Sequence, residues 1–299
     1  NMTAVFLGIF IEAAPFLLLG TLASGLVEVF VDRAAMAKLL PRSGWGAALG
    51  GSLLGLFFPV CECGVVPLTR RLFQKGLPLP MGVAFLLAAP VINPIVMAST
   101  LAAFGPGPVF WGRLGLTFVI ASLTGLIFSR AGDVGENLLP AAQPLSLNLS
   151  LQAEEAAPAE PGLGAKVQRM LIITVDEFFE MGRFLVVGAF LAAAMQTLVP
   201  RSALLGVSQG PLISVVVMVA LAVLLSICST VDAFIALAFA STFTSGSVLA
   251  FLVFGPMVDI KSTLMFLRVF RKRTVVYLIL LPLLMTLLAG TVLNLWAGG

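Results

Sequence analysis

The 299-residue chain has no histidine, only three cysteines and one tyrosine, and charged residues make up just 10% of it. The scarcity of charge excludes most. A soluble domain carries about 25% charged residues, because charge is what covers a water-facing surface. With 60% apolar residues and a mean hydropathy of +1.10, no such surface can be built here. That excludes a soluble enzyme, a secreted disulfide scaffold and a disordered chain. A transmembrane β-barrel is excluded too, because its strands alternate polar and apolar residues, whereas these apolar runs are continuous. The missing histidine removes the commonest transition-metal ligand and the usual proton shuttle. Three cysteines, two of them one residue apart, make no disulfide framework. The 17 Lys and Arg stand against 14 Asp and Glu without a basic, aromatic-interleaved patch, so nucleic acid is not an expected partner. No Gly-x-x-x-x-Gly-Lys-Ser/Thr loop is present, so ATP hydrolysis is not expected of this chain. What is there is an all-α polytopic membrane protein.

A span needs about 20 apolar residues. Residues 4–29, 79–101, 108–128, 171–198, 248–264 and 275–295 qualify. Two apolar stretches, 44–59 and 211–227, are shorter, and Lys/Arg placement decides how they sit. Arg33, Lys38 and Arg42 precede the first, and Arg70, Arg71 and Lys75 follow it. A full crossing would put these groups on opposite faces, against the positive-inside tendency. A hairpin that turns at Cys61-Glu62-Cys63-Gly64 keeps both cytoplasmic. The same reading of 211–241 leaves Arg130, Lys166, Arg169, Arg268, Arg271, Lys272 and Arg273 cytoplasmic and essentially Arg201 alone outside. The expectation is six spans and two re-entrant hairpins, or eight helical membrane segments if the hairpins are scored as spans.

The chain also repeats itself. Phe10, Glu12, Phe16, Leu17, Gly20 and Arg33 recur at the same spacing as Phe178, Glu180, Phe184, Leu185, Gly188 and Arg201. Phe85, Leu86, Pro90 and Asn93 likewise meet Phe251, Leu252, Pro256 and Asp259, and Cys61 falls opposite Cys228. Three spans per half is an odd number, so residues 1–130 and 166–299 form two inverted repeats. Inverted repeats with helices broken at mid-depth mark secondary transporters. Residues 131–165, rich in Ala, Pro, Ser and Glu, read as a flexible cytoplasmic linker.

The chemistry concentrates at the breaks. Cys61 and Cys63 flank Glu62 between Pro59 and Gly64, where a membrane hairpin must turn. Irregular backbone at that depth is tolerated only if it is buried in protein or lines a cavity. Thiolates suit soft ions such as Cu(I), Zn(II) or trivalent arsenic, which makes Cys61 and Cys63 candidate metal ligands. Cys228 joins them by repeat position. Each proline in Ala89-Pro90-Val91-Ile92-Asn93-Pro94 removes a helix hydrogen bond, and the matching Gly255-Pro256-Met257-Val258-Asp259-Ile260-Lys261 adds two ionisable groups. Pro59, Gly64, Pro90, Pro94, Gly255 and Pro256 are therefore expected hinges. Cys61, Cys63, Cys228, Asn93 and Asp259 are expected substrate ligands. Glu62, Asp232, Lys261, Glu12 and Glu180 are expected to carry coupling or structural charge, since intramembrane ionisable residues are costly. Glu180 has Arg183 three residues on, a helix-surface neighbour. Glu12 has Pro15 there and needs another partner, such as Arg113. Legs of about 15 residues reach roughly 22 Å at 1.5 Å per residue, so the two hairpin tips should overlap in depth.

Pro59-Val60-Cys61-Glu62-Cys63-Gly64-Val65-Val66-Pro67-Leu68, then Gly76, then Phe85-Leu86-Leu87-Ala88-Ala89-Pro90-Val91-Ile92-Asn93-Pro94 resembles the predicted-permease family that includes bacterial organoarsenical efflux permeases. The resemblance extends over most of the chain. It implies a multi-pass permease of the bacterial inner membrane, usually described with eight spans, that exports trivalent organoarsenicals; related members have been assigned to copper or zinc. Glu62 stands where many members carry a small residue, which shifts the expectation toward a metal cation. The leading reading is a secondary transporter, not an enzyme and without a cofactor, that moves a thiophilic solute out of the cytoplasm. The rival readings are a membrane thiol oxidoreductase or redox sensor, whose reactivity would need a lowered thiol pKa, and a transporter of a sulfur-containing anion. Expected partners are the small-molecule or metal-ion substrate and the lipid bilayer, with a homo-oligomer left open.

Overall fold

The protein is described here by a computed structural model over residues 2–31, 43–58, 60–130, 137–140, 163–198 and 210–297. Pro59, Arg33, Lys38, Arg42 and Arg201 lie outside the described residues, as does most of the expected linker. Twelve α-helices follow among the described residues: α1 (Met2–Phe30), α2 (Gly44–Leu54, prolonged by a 3-10 turn Gly55–Phe57), α3 (Glu62–Gln74), α4 (Leu79–Ala88), α5 (Pro94–Phe104), α6 (Pro108–Phe128), α7 (Leu163–Leu198), α8 (Pro211–Leu225), α9 (Asp232–Phe239), α10 (Ser245–Met257), α11 (Ile260–Val269) and α12 (Lys272–Ala297). Five stretches are long and apolar enough to cross a membrane by length and composition: Met2–Phe30, Pro108–Phe128, Leu163–Leu198, Ser245–Val269 and Lys272–Trp296.

Several boundaries differ from the sequence reading. The apolar stretch 79–101 divides into α4 and α5, because Pro90 cannot continue a helix and Asn93-Pro94 restarts one. Asn93 is the N-cap and Pro94 opens α5, where a missing N–H costs nothing. Gly255 and Pro256 lie inside the last turns of α10, and the chain leaves the helix only at Val258 (φ −144°). Helix α7 starts at Leu163, within the expected linker; its 36 residues span about 54 Å at 1.5 Å each. That exceeds a hydrocarbon core of about 30 Å, so its charged first turns can stand in water. Residues 137–140 also depart from a flexible tether. Leu138 is fully buried, and Leu139 N–H donates to Val269 O at 2.9 Å. An apolar Leu-Leu pair inside a polar stretch is enough to dock it.

The core is built by close approach of small residues. Helices α1 and α7 pack antiparallel, with Ile9 against Ala189 and Ala192 and Gly25 against Met170 and Thr174. Helices α2, α4 and α6 form one packed group, and α8, α10 and α12 form another. Gly125 of α6 lets Ala84 and the Pro80 carbonyl of α4 come close, and Gly290 of α12 does the same for Gly246 of α10. Without water to drive apolar surfaces together, van der Waals packing through small residues holds membrane helices.

Contacts at the helix ends define two faces. Gly44, at the start of α2, lies against Ser129 just past α6. Lys75, just past α3, is 3.6 Å from Glu28 near the end of α1. Phe73 packs edge-on against Phe270, ring centroids 5.8 Å apart. Phe128 and Arg130 at the end of α6 line one cavity with Arg271 and Lys272 beside Phe270, so the start of α2 and the end of α3 lie at the same end of the helix bundle. On the other face, Asn294 near the end of α12 donates to Pro211 O at 2.9 Å and accepts from Gly246 N at 3.0 Å. In a Cys-free background, Ser43→Cys and Lys75→Cys should react with an impermeant maleimide from the same side of the membrane. Labelling from opposite sides would contradict this arrangement.

Candidate functional site

The start of α3 reaches the middle of the bundle because Gly64, in its first turn, lies directly on Gly20 and the Phe16 carbonyl of α1. A Cβ at Gly20 would collide with the Gly64 backbone, and one at Gly64 would press on the α1 backbone, so the helices meet this closely only while Gly20 is glycine. Cys61 caps this helix in an extended conformation (φ −85°, ψ −179°), and its carbonyl accepts from Gly64 N and Val65 N at 3.1 and 3.0 Å. Gly64 thus serves close packing within a helix rather than a turn.

Helix α8 ends at Ser226, whose φ of 46° makes it the non-glycine residue with positive φ among the described residues. Such a conformation costs of order 1 kcal/mol and persists only when its surroundings hold it. Here the Ser226 hydroxyl donates to Asp259 Oδ2 at 3.2 Å and accepts from Ile260 N at 3.3 Å. Asp259 in turn caps α11: Oδ1 accepts from Ser262 N at 2.6 Å, and Ser262 Oγ accepts from Asp259 N at 2.9 Å. This capping box satisfies two orphan donors at once. Asn93 does the corresponding work for α5, accepting from Val96 N at 2.9 Å and donating to Ala89 O at 3.0 Å and Val60 O at 3.3 Å. Each cap residue ties its own break to the neighbouring one.

Lys261 sits where these breaks converge. Its ammonium is 3.4 Å from Glu62 Oε1 and 3.4 Å from Asp259 Oδ2, and the three side chains are at most 3% exposed. Its Cα packs on Gly188 of α7. Beside this triad, Cys61, Glu62 and Cys228 each offer a ligand atom, all within 4.8 Å of one another. All three cysteines are free and buried. Cys63 itself lies outside the three-ligand group, one step further into α3. Glu62 Oε2 is buried without a hydrogen-bond partner among the described residues, as is Ser229 Oγ next in sequence to Cys228, so Glu62 leaves one carboxylate oxygen of the cluster unused. Two thiols and a carboxylate form a donor set for a thiophilic cation.

A second buried pair lies beyond. Arg113 on α6 grips Asp232 at the start of α9 with both terminal nitrogens, at 2.6 and 3.0 Å, and also donates to Thr100 at 2.8 Å. Arg113 is therefore not the partner of Glu12, whose Oε1 is buried and unpaired; a bidentate fork is better matched by Asp232. Glu180 is not paired with Arg183 either. It meets Arg70 at 2.9 Å, next to Arg71–Glu177 at 2.7 Å, because the basic end of α3 packs against this stretch of α7. Glu180 thus belongs to an interhelical ion network away from the breaks. The sequence reading passed over Ser226, Ser229, Thr100 and Glu177. A charge inside an apolar run was the available signal for Glu177, and nothing local marked the three hydroxyls.

Known proteins resemble this chain along nearly its whole length. The family ArsP_1, described as predicted permease, matches residues 1–295. The chain is 44% identical over 297 residues to UPF0718 protein YcgR of Bacillus subtilis (strain 168), covering 98% of this chain and 96% of the relative. It is 38% identical over 272 residues to a putative two-component membrane permease complex subunit of Streptococcus mutans serotype c, covering 90% and 87% respectively. No solved structure matches it. Taken with the apolar helices and the buried polar breaks between them, these matches show that the chain belongs to the predicted-permease family and is a multi-pass membrane transporter.

Proposed function

We propose that the protein is an inner-membrane secondary transporter that exports a soft cation bound by Cys61, Cys228 and Glu62. The observation that carries this reading is the meeting of those three ligand atoms within 4.8 Å, which brings Cys228 from a distant segment onto the adjacent Cys61 and Glu62. Its frame is a pair of inverted halves. Each half has a long first helix (α1 or α7), a hairpin (α2–α3 or α8–α9), a broken span (α4–α5 or α10–α11) and a last span (α6 or α12). Three crossings per half make six, and the hairpins enter from opposite faces. Support comes from the helix-end contacts and from the matched roles of Asn93 and Asp259. Such breaks bring carbonyls, caps and helix termini to a site at mid-depth.

Glu62 is shared between the cation ligands and Lys261, so an incoming cation competes with the ammonium for the same carboxylate. Asp259 remains as the place where Lys261 can rest. Glu12 adds negative charge within range of Lys261. A trivalent organoarsenical is a second reading, favoured by the approach of the Cys61 and Cys228 thiols, because trivalent arsenic prefers thiol ligands. The printed name of the Streptococcus relative makes that protein a subunit of a two-component complex, and a second subunit beside this chain is part of the proposal.

Transport into inverted vesicles, measured across Zn(II), Cu(I), a trivalent organoarsenical, Mg(II) and a sulfur oxyanion, tests the reading. Soft cations should be carried and Mg(II) should not. Cys61→Ser and Cys228→Ser should each abolish the signal with insertion intact, since a hydroxyl fills similar volume without the soft donor. Unchanged transport by the double variant would reduce both cysteines to packing residues.

A further inference from the structure

Away from the breaks, the face that carries the ends of α3 and α6 holds a second chemical feature. A cavity of about 980 Å³ opens between the end of α6 and the start of α12. Arg130, Arg271, Lys272 and Arg273 all line it, from two separate helix ends. Among the described residues none of the four makes an ion pair. Cations at the start of a helix oppose its dipole, each at a cost of about 0.3–1 kcal/mol, so Lys272 and Arg273 in the first turn of α12 leave a strongly positive hollow. The wall is anchored: Arg271 N donates to Asn137 O at 3.0 Å, and Thr274 Oγ1 donates to Asn137 Oδ1 at 3.1 Å. The remaining lining is largely apolar: Phe128 is buried, while Ile127 at 43% and Tyr277 at 57% exposed turn outward beside Leu281. A positive rim above an outward apolar wall matches a ligand with a phosphate at one end and acyl chains at the other.

We propose that this cavity binds the phosphate of an anionic phospholipid headgroup, with the acyl chains lying along α6 and α12. The basic residues bind the phosphate oxygens by charge-assisted hydrogen bonds, for which the guanidinium fork is suited. Basic pockets between membrane helices on the cytoplasmic side take such headgroups. The bound lipid would pin the start of α12 to the end of α6 and to residues 137–140, independently of which solute is transported.

The test uses the full chain purified in mild detergent and placed in phosphatidylcholine nanodiscs with increasing phosphatidylglycerol or cardiolipin. Native mass spectrometry should find anionic lipid retained by the wild type, and its melting temperature should rise with the anionic fraction. Arg130→Gln/Arg273→Gln should weaken retention at least tenfold. Lys166→Gln/Arg169→Gln, an equal loss of charge on the same face, should leave it unchanged. Equal retention by the two double variants, or a melting temperature indifferent to lipid charge, would overturn the site. Displacement of the lipid by millimolar orthophosphate, with equal stabilisation by orthophosphate in neutral nanodiscs, would assign the cavity to a soluble phosphate and overturn the lipid.

Discussion

Replacing Lys261 by Met should tighten binding of a soft cation by about a hundredfold and slow its export. The ammonium now lies 3.4 Å from Glu62, one of the three candidate ligands, so it repels any second cation and holds part of the ligand set. A unit charge about 6 Å away, in an effective dielectric of about 20, is worth about 3 kcal/mol. Removing it leaves Glu62 and Asp259 free to attract the cation. Export must fall for the same reason, because a transported ion has to leave its site as well as enter it. The combination separates this variant from Cys61→Ser, which should lose binding and export together. Equilibrium binding by the purified chain and initial rates in vesicles measure the two effects. Weaker cation binding by Lys261→Met would show that the ammonium supports the site instead of competing for it.

The second large effect concerns stability. Asp232→Leu would leave the Arg113 guanidinium buried with Thr100 as its remaining partner, and should destabilise the protein by about 3–5 kcal/mol, the range for an orphaned member of a buried pair. Arg113→Met should cost a similar amount by orphaning Asp232. The double variant Arg113→Met/Asp232→Leu should recover most of the loss, since an apolar pair of similar volume can replace a buried ion pair. The pair links α6 to α9 across 119 residues of sequence, so it ties two distant helices together as well as neutralising charge. Reversible unfolding in bicelles, with the double-mutant cycle completed, gives the coupling. Additive losses would mean that the two side chains stabilise the fold independently, against the 2.6 Å contact between them.

Asp232 and Glu180 show how far local pattern reaches. Both were visible as charges within apolar runs, and for such residues sequence logic demands a partner. It named the nearest one in the chain for Glu180 and an available one for Glu12, and both choices were wrong. Partner choice depends on which helices are lateral neighbours, and that is set by where small residues permit close approach: Gly20 on Gly64, and Gly188 on Lys261. Those contacts carry no signal in the spacing of charges. Some break positions, by contrast, were legible: Pro90 and Asn93-Pro94 stop and restart a helix and Asp259 caps another, whereas Gly64, Gly255 and Pro256 lie inside helices. Proline and an amide or carboxylate cap act on their own turn of helix, whatever lies beside it.

By itself the sequence determined that this chain lives in a bilayer, since a composition with 10% charge cannot face water. It also determined several of the points where helices start and fail, because hydropathy, helix breaking and capping are local properties. Only the tertiary structure decided that Lys261 reaches back 199 residues to Glu62, that Cys228 joins Cys61 while Cys63 stands aside, and that Arg113 belongs to Asp232. In an apolar medium, every polar side chain gains from finding some partner. The identity of that partner is fixed by helix packing, which is a property of the whole chain and of no single segment.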